Sequence, residues 1–123
     1  VVINENLEYI EDRLLQVRET FSYTQIFISE LGLFDGVTYS ISFDCESIGN
    51  KQERFYFNLY DVGPIQKISQ IGIFNKKNHM AFEYEEGKTF KINLYTGYGP
   101  DIKGAGARFH NFKIEKGDIA TPY

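Results

Sequence analysis

The sequence predicts an all-β chain, a jelly-roll β-sandwich of about eight antiparallel strands in two sheets. Three observations carry that expectation. Glu53 to Asp61, read ERFYFNLYD, alternates strictly, with Phe55, Phe57 and Leu59 on one side and Arg54, Tyr56, Asn58 and Tyr60 on the other. A two-residue period is that of a strand lying over a hydrophobic core. Runs of this kind recur at short spacing between turn signals, with no βαβ unit and no internal repeat. Aromatic residues make up 16% of the chain, with 9 Tyr, 11 Phe and no Trp, a composition that suits pleated surfaces.

The elements follow in order. Leu7, Ile10, Leu14 and Val17 are spaced as a helical stripe, yet Leu15, Val17 and Glu19 alternate, and the reading favours a first strand over Arg13 to Glu19. Phe21 to Ser29 is rich in aromatic and β-branched residues, and Asp35-Gly36 turns the chain into Val37 to Cys45. Ser47 to Gln52 is a polar loop before the Glu53 to Asp61 strand, and Val62-Gly63-Pro64 breaks the chain after it. Ile65 to Phe74 resumes with Ile71 and Ile73 in phase, and Asn75 to Asn78 turns again. His79 to Tyr84 and Thr89 to Tyr95 form a hairpin around Glu85 to Lys88, with Met80, Phe82 and Tyr84 on one face and Phe90, Ile92 and Leu94 on one face. A glycine-rich connection, Gly97 to Gly106, leads to a last strand, Ala107 to Glu115, where the spacing of Phe109 and Phe112 calls for a bulge near Asn111. At 123 residues the chain is one domain with a core of its own, divided into a lead-in at 1–12, short helix or linker, and a sandwich at 13–123. Starting without Met and stopping after Pro122-Tyr123, it is expected to be a piece of a longer protein.

Composition excludes several functions. A net charge of -4 gives no basic face for neutralising phosphates, so nucleic acid is not an expected partner. No apolar run reaches the roughly 20 residues that span a bilayer, so no membrane is expected either. Cys45, in phase with Tyr39, Ile41 and Phe43, is expected to be a buried small hydrophobe without a nearby His to activate it. The carboxylates of Asp44, Glu46, Glu83 and Glu85 fall outward and are read as solvated rather than as a glycosidase pair. His79 and His110 lack metal-ligand spacing. The expected protein is not an enzyme.

Two tyrosines with an amide between them are unusual on a face that merely meets water. Tyr56, Asn58 and Tyr60 with Arg54, and the outward Lys91, Asn93 and Tyr95 of the later strand, are the candidate binding residues. A sugar ring packs its C–H face on an aromatic ring and pairs its hydroxyls with amides and bases. Tyr98 in the glycine-rich connection is an alternative platform, and His110, opposite in phase to Phe109, is a further groove candidate or a surface histidine.

Phe109 to Gly117 followed by Asp118 to Tyr123, containing Lys113-Ile114-Glu115-Lys116-Gly117 and Ala120-Thr121-Pro122-Tyr123, resembles the closing strand and exit segment of carbohydrate-binding-module-like jelly-roll domains in bacteriophage tail and baseplate proteins. Leu33 to Phe43, with Gly36, Tyr39, Ser42 and Phe43, resembles the start of a strand in the same modules. The N-terminal third departs from that pattern, and there is no Trp, a residue such modules often use as a sugar platform. The resemblance implies a non-catalytic receptor-binding module in the virion, assembled in the bacterial host cytoplasm, with host cell-wall polysaccharide and other tail subunits as partners. Many jelly-roll sugar modules also hold a structural calcium. Here no loop gathers oxygen ligands for one, so no ligand is named and no other cofactor is expected. The alternatives are a structural tail-subunit domain whose tyrosine face is a protein interface, and a sandwich appended to a bacterial enzyme.

Overall fold

The computed structural model describes residues 10–28, 31–49, 52–62, 65–88 and 90–118, and the backbone alone at 61, 62 and 65–69. Eight strands follow in order: β1 (Arg13–Gln16), β2 (Tyr23–Phe27), β3 (Thr38–Ile48), β4 (Phe55–Val62), β5 (Ile65–Gly72), β6 (Lys77–Glu83), β7 (Lys91–Tyr95) and β8 (Gly106–Lys116). They form two four-stranded sheets, one ordered β1-β8-β3-β6 and the other β2-β7-β4-β5. Every pairing is antiparallel, and the result is the expected sandwich. The start of the helical stripe, Gly63-Pro64, Thr89 and the exit segment 119–123 lie outside the described residues.

The core sits between the sheets. Phe43, Cys45, Phe55, Phe57, Leu59, Phe82, Phe90, Ile92 and Leu94 are all buried. Alternation explains this set, since each strand turns every second side chain toward the facing sheet. Phe43 lies at the centre, edge-on to Phe57 at 5.1 Å and 85°, and within 6.1 Å of Phe55, Phe109 and Phe112. Such tilted packing suits the ring quadrupole better than a face-to-face sandwich. The thiol of Cys45, fully enclosed, is pushed well above its ordinary value, first by burial and then by Glu46.

The β8 bulge occurs where the spacing of Phe109 and Phe112 placed it. The β3–β8 register shifts between Ser42 and Asp44, and Asn111 takes a φ of 55°. Its amide donates to Asp44 Oδ2 at 2.8 Å, and asparagine tolerates this left-handed conformation better than most residues. Both Phe109 and Phe112 therefore reach the core.

Two expectations need correction. β1 ends at Gln16 rather than Glu19, because the Val17 N–H bonds to the Ala105 carbonyl at 2.8 Å as the chain leaves the ladder. The expected hairpin of His79 to Tyr84 with Thr89 to Tyr95 does not form: β6 pairs with β3 in one sheet while β7 lies between β2 and β4 in the other, so the chain crosses between the sheets after Glu83. Ile71 and Ile73, in phase as read, are both exposed. The β1-β8-β3-β6 sheet also buries polar side chains: Ser40, Ser42, Lys113 and Glu115 are enclosed, the last two joined by a 3.1 Å ion pair.

Candidate functional site

The outer face of the second sheet is built from the side chains that alternate with the core on β2, β7 and β4. Register sets them in rows across the strands. Tyr23 pairs with Tyr95, Tyr95 with Tyr56, and Tyr56 with Ile71, giving an apolar row. Beside it Gln25, Asn93 and Asn58 form an amide row, and then Phe27, Lys91 and Tyr60 form a third. Sequence reasoning brought together Tyr56, Asn58, Tyr60, Lys91, Asn93 and Tyr95, and the structure places all six on this face.

β2 adds what the sequence reading missed. Tyr23 stacks near Tyr95, with centroids 5.7 Å apart, and Phe21 lies 6.3 Å from Tyr23, 6.4 Å from Tyr95 and 5.6 Å from Tyr98. Phe21, Tyr56, Asn58, Tyr95, Thr96 and Tyr98 enclose a hollow of about 490 Å³. A second hollow of about 380 Å³ shares Tyr56 and Tyr98 with it and takes in Glu53, Arg54 and Asp101. Arg54 and Tyr98 thus border the site, Tyr98 standing 72% exposed as a wall between the hollows.

Hydrogen bonds fix the two aromatic loops in place. The Ser22 N–H donates to Thr96 Oγ1 and the Thr96 N–H to the Ser22 carbonyl, each at 2.9 Å, while the Gly99 N–H reaches the Thr20 carbonyl at 2.8 Å. Buried Gln52 accepts from the Gly97 N–H at 2.9 Å and donates from Nε2 to the Gly106 carbonyl at 2.7 Å. Gly97 permits this close approach, since a Cβ there would lie 2.9 Å from the Arg54 carbonyl oxygen. The backbone that carries Phe21 and Tyr98 is consequently tied down on both sides, which lowers the ordering cost of binding.

The amide row is electrostatically unfinished. The Asn93 amide nitrogen donates to the Tyr95 hydroxyl at 3.0 Å. Their carbonyl oxygens, Asn58 Oδ1 and Asn93 Oδ1, are buried and have no partner, although Asn93 is only 5% exposed. A buried acceptor left unpaired costs about 1 to 3 kcal/mol. Burial, followed by the neighbouring Tyr95 hydroxyl, holds the Tyr60 phenol above its ordinary value, so it stays a neutral hydroxyl. The Lys91 ammonium lies 5.2 Å from the centre of the Tyr60 ring.

His110 is not brought to this face. It lies on β8 opposite Asp44, in the other sheet. Its phase was read correctly, but phase gives the face of a strand, not the sheet it joins. Among the described residues no three His, Cys, Asp or Glu side chains are arranged to hold a metal ion, and none is assigned to calcium.

No family model and no curated protein matches the sequence. Among solved structures, the CBM22-1 xylan-binding domain of Paenibacillus barcinonensis Xyn10C is similar at 14% identity and a TM-score of 0.59, over 87% of this chain and 72% of that one. A CBM4 module is similar at 15% identity and a TM-score of 0.48, over 79% of this chain and 61% of that one. The chain has the jelly-roll β-sandwich fold of a carbohydrate-binding module.

Proposed function

We propose that the protein is a non-catalytic carbohydrate-binding module that holds a saccharide on the outer face of the β2-β7-β4-β5 sheet. The observation that carries this is the pair of buried, unpartnered carbonyls of Asn58 and Asn93 beside a row of aromatic rings. Sugar hydroxyls are the donors those carbonyls lack, and the C–H face of the same ring fits against Tyr95, Tyr56 or Tyr98. A purely protein-binding face is better served by a dry apolar patch than by two acceptors awaiting donors. The xylan-binding neighbour's fold supports the same reading.

The finer proposal is the setting. The likeness of Phe109 to Tyr123 and of Leu33 to Phe43 to phage tail modules supports adhesion of a virion to host cell-wall saccharide. A shallow face of this kind binds an isolated saccharide weakly, on the order of millimolar to tens of micromolar, and many copies supply the avidity. The test is retention of the protein by immobilised cell-wall polysaccharides and xylan, with Tyr56→Ala/Tyr95→Ala as the control. The double variant is expected to fold and to lose retention. Equal retention of variant and parent would remove the site from this face.

A further inference from the structure

We infer that this face selects a negatively charged saccharide, with Lys91 as the anion contact; the inference rests on the sugar-binding reading. The chain carries 17 acidic and 13 basic residues, yet the three rows across β2, β7 and β4 include no acid and one base, Lys91, while Glu53, Arg54 and Asp101 stand at the margin around the second hollow. On the other sheet, bases are matched by acids: Arg108 pairs with Asp12 and Glu46, and Lys113 with Glu115. Lys91 has no carboxylate partner among the described residues. It is half-buried and rests against the Tyr60 ring, 5.2 Å from its centre.

A partly desolvated ammonium in rows whose described side chains include no acid attracts an anionic substituent, and more strongly than it would in open water. The position fits a single glycan. Side chains on one face of a strand repeat about every 7 Å, so Lys91 stands one repeat from Asn93 and two from Tyr95. A sugar packed on the tyrosine row with its hydroxyls at the amide row therefore brings an acidic group on the same or the next ring to Lys91. Because lysine is a point charge rather than a fork, a uronate carboxylate and a sulfate ester share the required chemistry.

Affinity electrophoresis in gels containing polygalacturonate, dextran sulfate or neutral xylan, at low and high salt, tests this with the parent, Lys91→Met and Lys91→Arg. The parent is expected to prefer an acidic polysaccharide, salt to erode that preference, and Lys91→Met to reduce the acidic-over-neutral ratio by about fivefold, the upper value of a single exposed ion pair. Lys91→Arg should keep the preference. The first two gels separate a carboxylate ligand from a sulfated one. A parent that prefers xylan, or a ratio unchanged in Lys91→Met, overturns the inference and leaves the sugar-binding reading standing. Retention by none of the three refutes the inference, while that reading is judged separately on the cell-wall polysaccharides.

Discussion

Replacing Asn93 by leucine separates a ligand-binding amide from a structural one. In the free protein its Oδ1 is buried without a partner, a state that costs about 1 to 3 kcal/mol. Against this, the side chain donates one hydrogen bond, to the Tyr95 hydroxyl at 3.0 Å. Such a bond contributes about 0.5 to 1.5 kcal/mol net. Those contributions roughly cancel, and a leucine at a site only 5% exposed adds apolar burial worth about 1 to 2 kcal/mol. Asn93→Leu is therefore expected to be neutral or stabilising by up to about 2 kcal/mol, raising Tm by as much as roughly 8 °C at about 4 °C per kcal/mol. Saccharide binding should fall about tenfold, because the ligand loses an acceptor. Thermal unfolding by circular dichroism and affinity electrophoresis read the two effects. Destabilisation beyond about 1 kcal/mol would mean that the amide holds the fold together and is not kept for a ligand.

Phe57→Ala, which opens a cavity beside Phe43 in the centre of the core, should cost about 3 to 5 kcal/mol in denaturant unfolding, and a cost below about 1 kcal/mol would contradict the β4 register. Gln52→Met leaves the Gly97 N–H and the Gly106 carbonyl without their partner, so it should cost about 1 to 3 kcal/mol and weaken the near-ultraviolet dichroism of the aromatic cluster of Phe21, Tyr95 and Tyr98. Stability should be insensitive to Cys45 and Tyr60 through neutral pH and fall in alkali. Both groups have raised values in the folded chain, which then holds more protons than the unfolded chain. Their contribution is fully present below the unfolded values of 9.0 and 10.0 and is lost as pH rises above them; stability that increased across that range would refute the assignment.

Much of this face was legible because alternation is local. ERFYFNLYD states which side of β4 faces the core, and the same reasoning set Lys91, Asn93 and Tyr95 outward on β7. What alternation cannot state is which distant strands are neighbours. β2 pairs with β7 across most of the chain, so Tyr23, Gln25 and Phe27 joined the site unannounced, although their own phase opposite Ile26 was visible. His110 failed for the same reason. The hairpin around Glu85 to Lys88 failed likewise, because a turn signal is local while the sheet each flanking strand joins depends on distant partners. Gln52 gave no periodic signal: its role depends on loops converging from three parts of the chain.

Amide chemical shifts recorded while soluble cell-wall oligosaccharides are titrated into the protein test the central claim most directly. The account predicts shifts concentrated at Tyr56, Asn58, Asn93, Tyr95 and Tyr98, with the β1-β8-β3-β6 sheet unmoved. Shifts centred on that other sheet, or none with any saccharide, would contradict it.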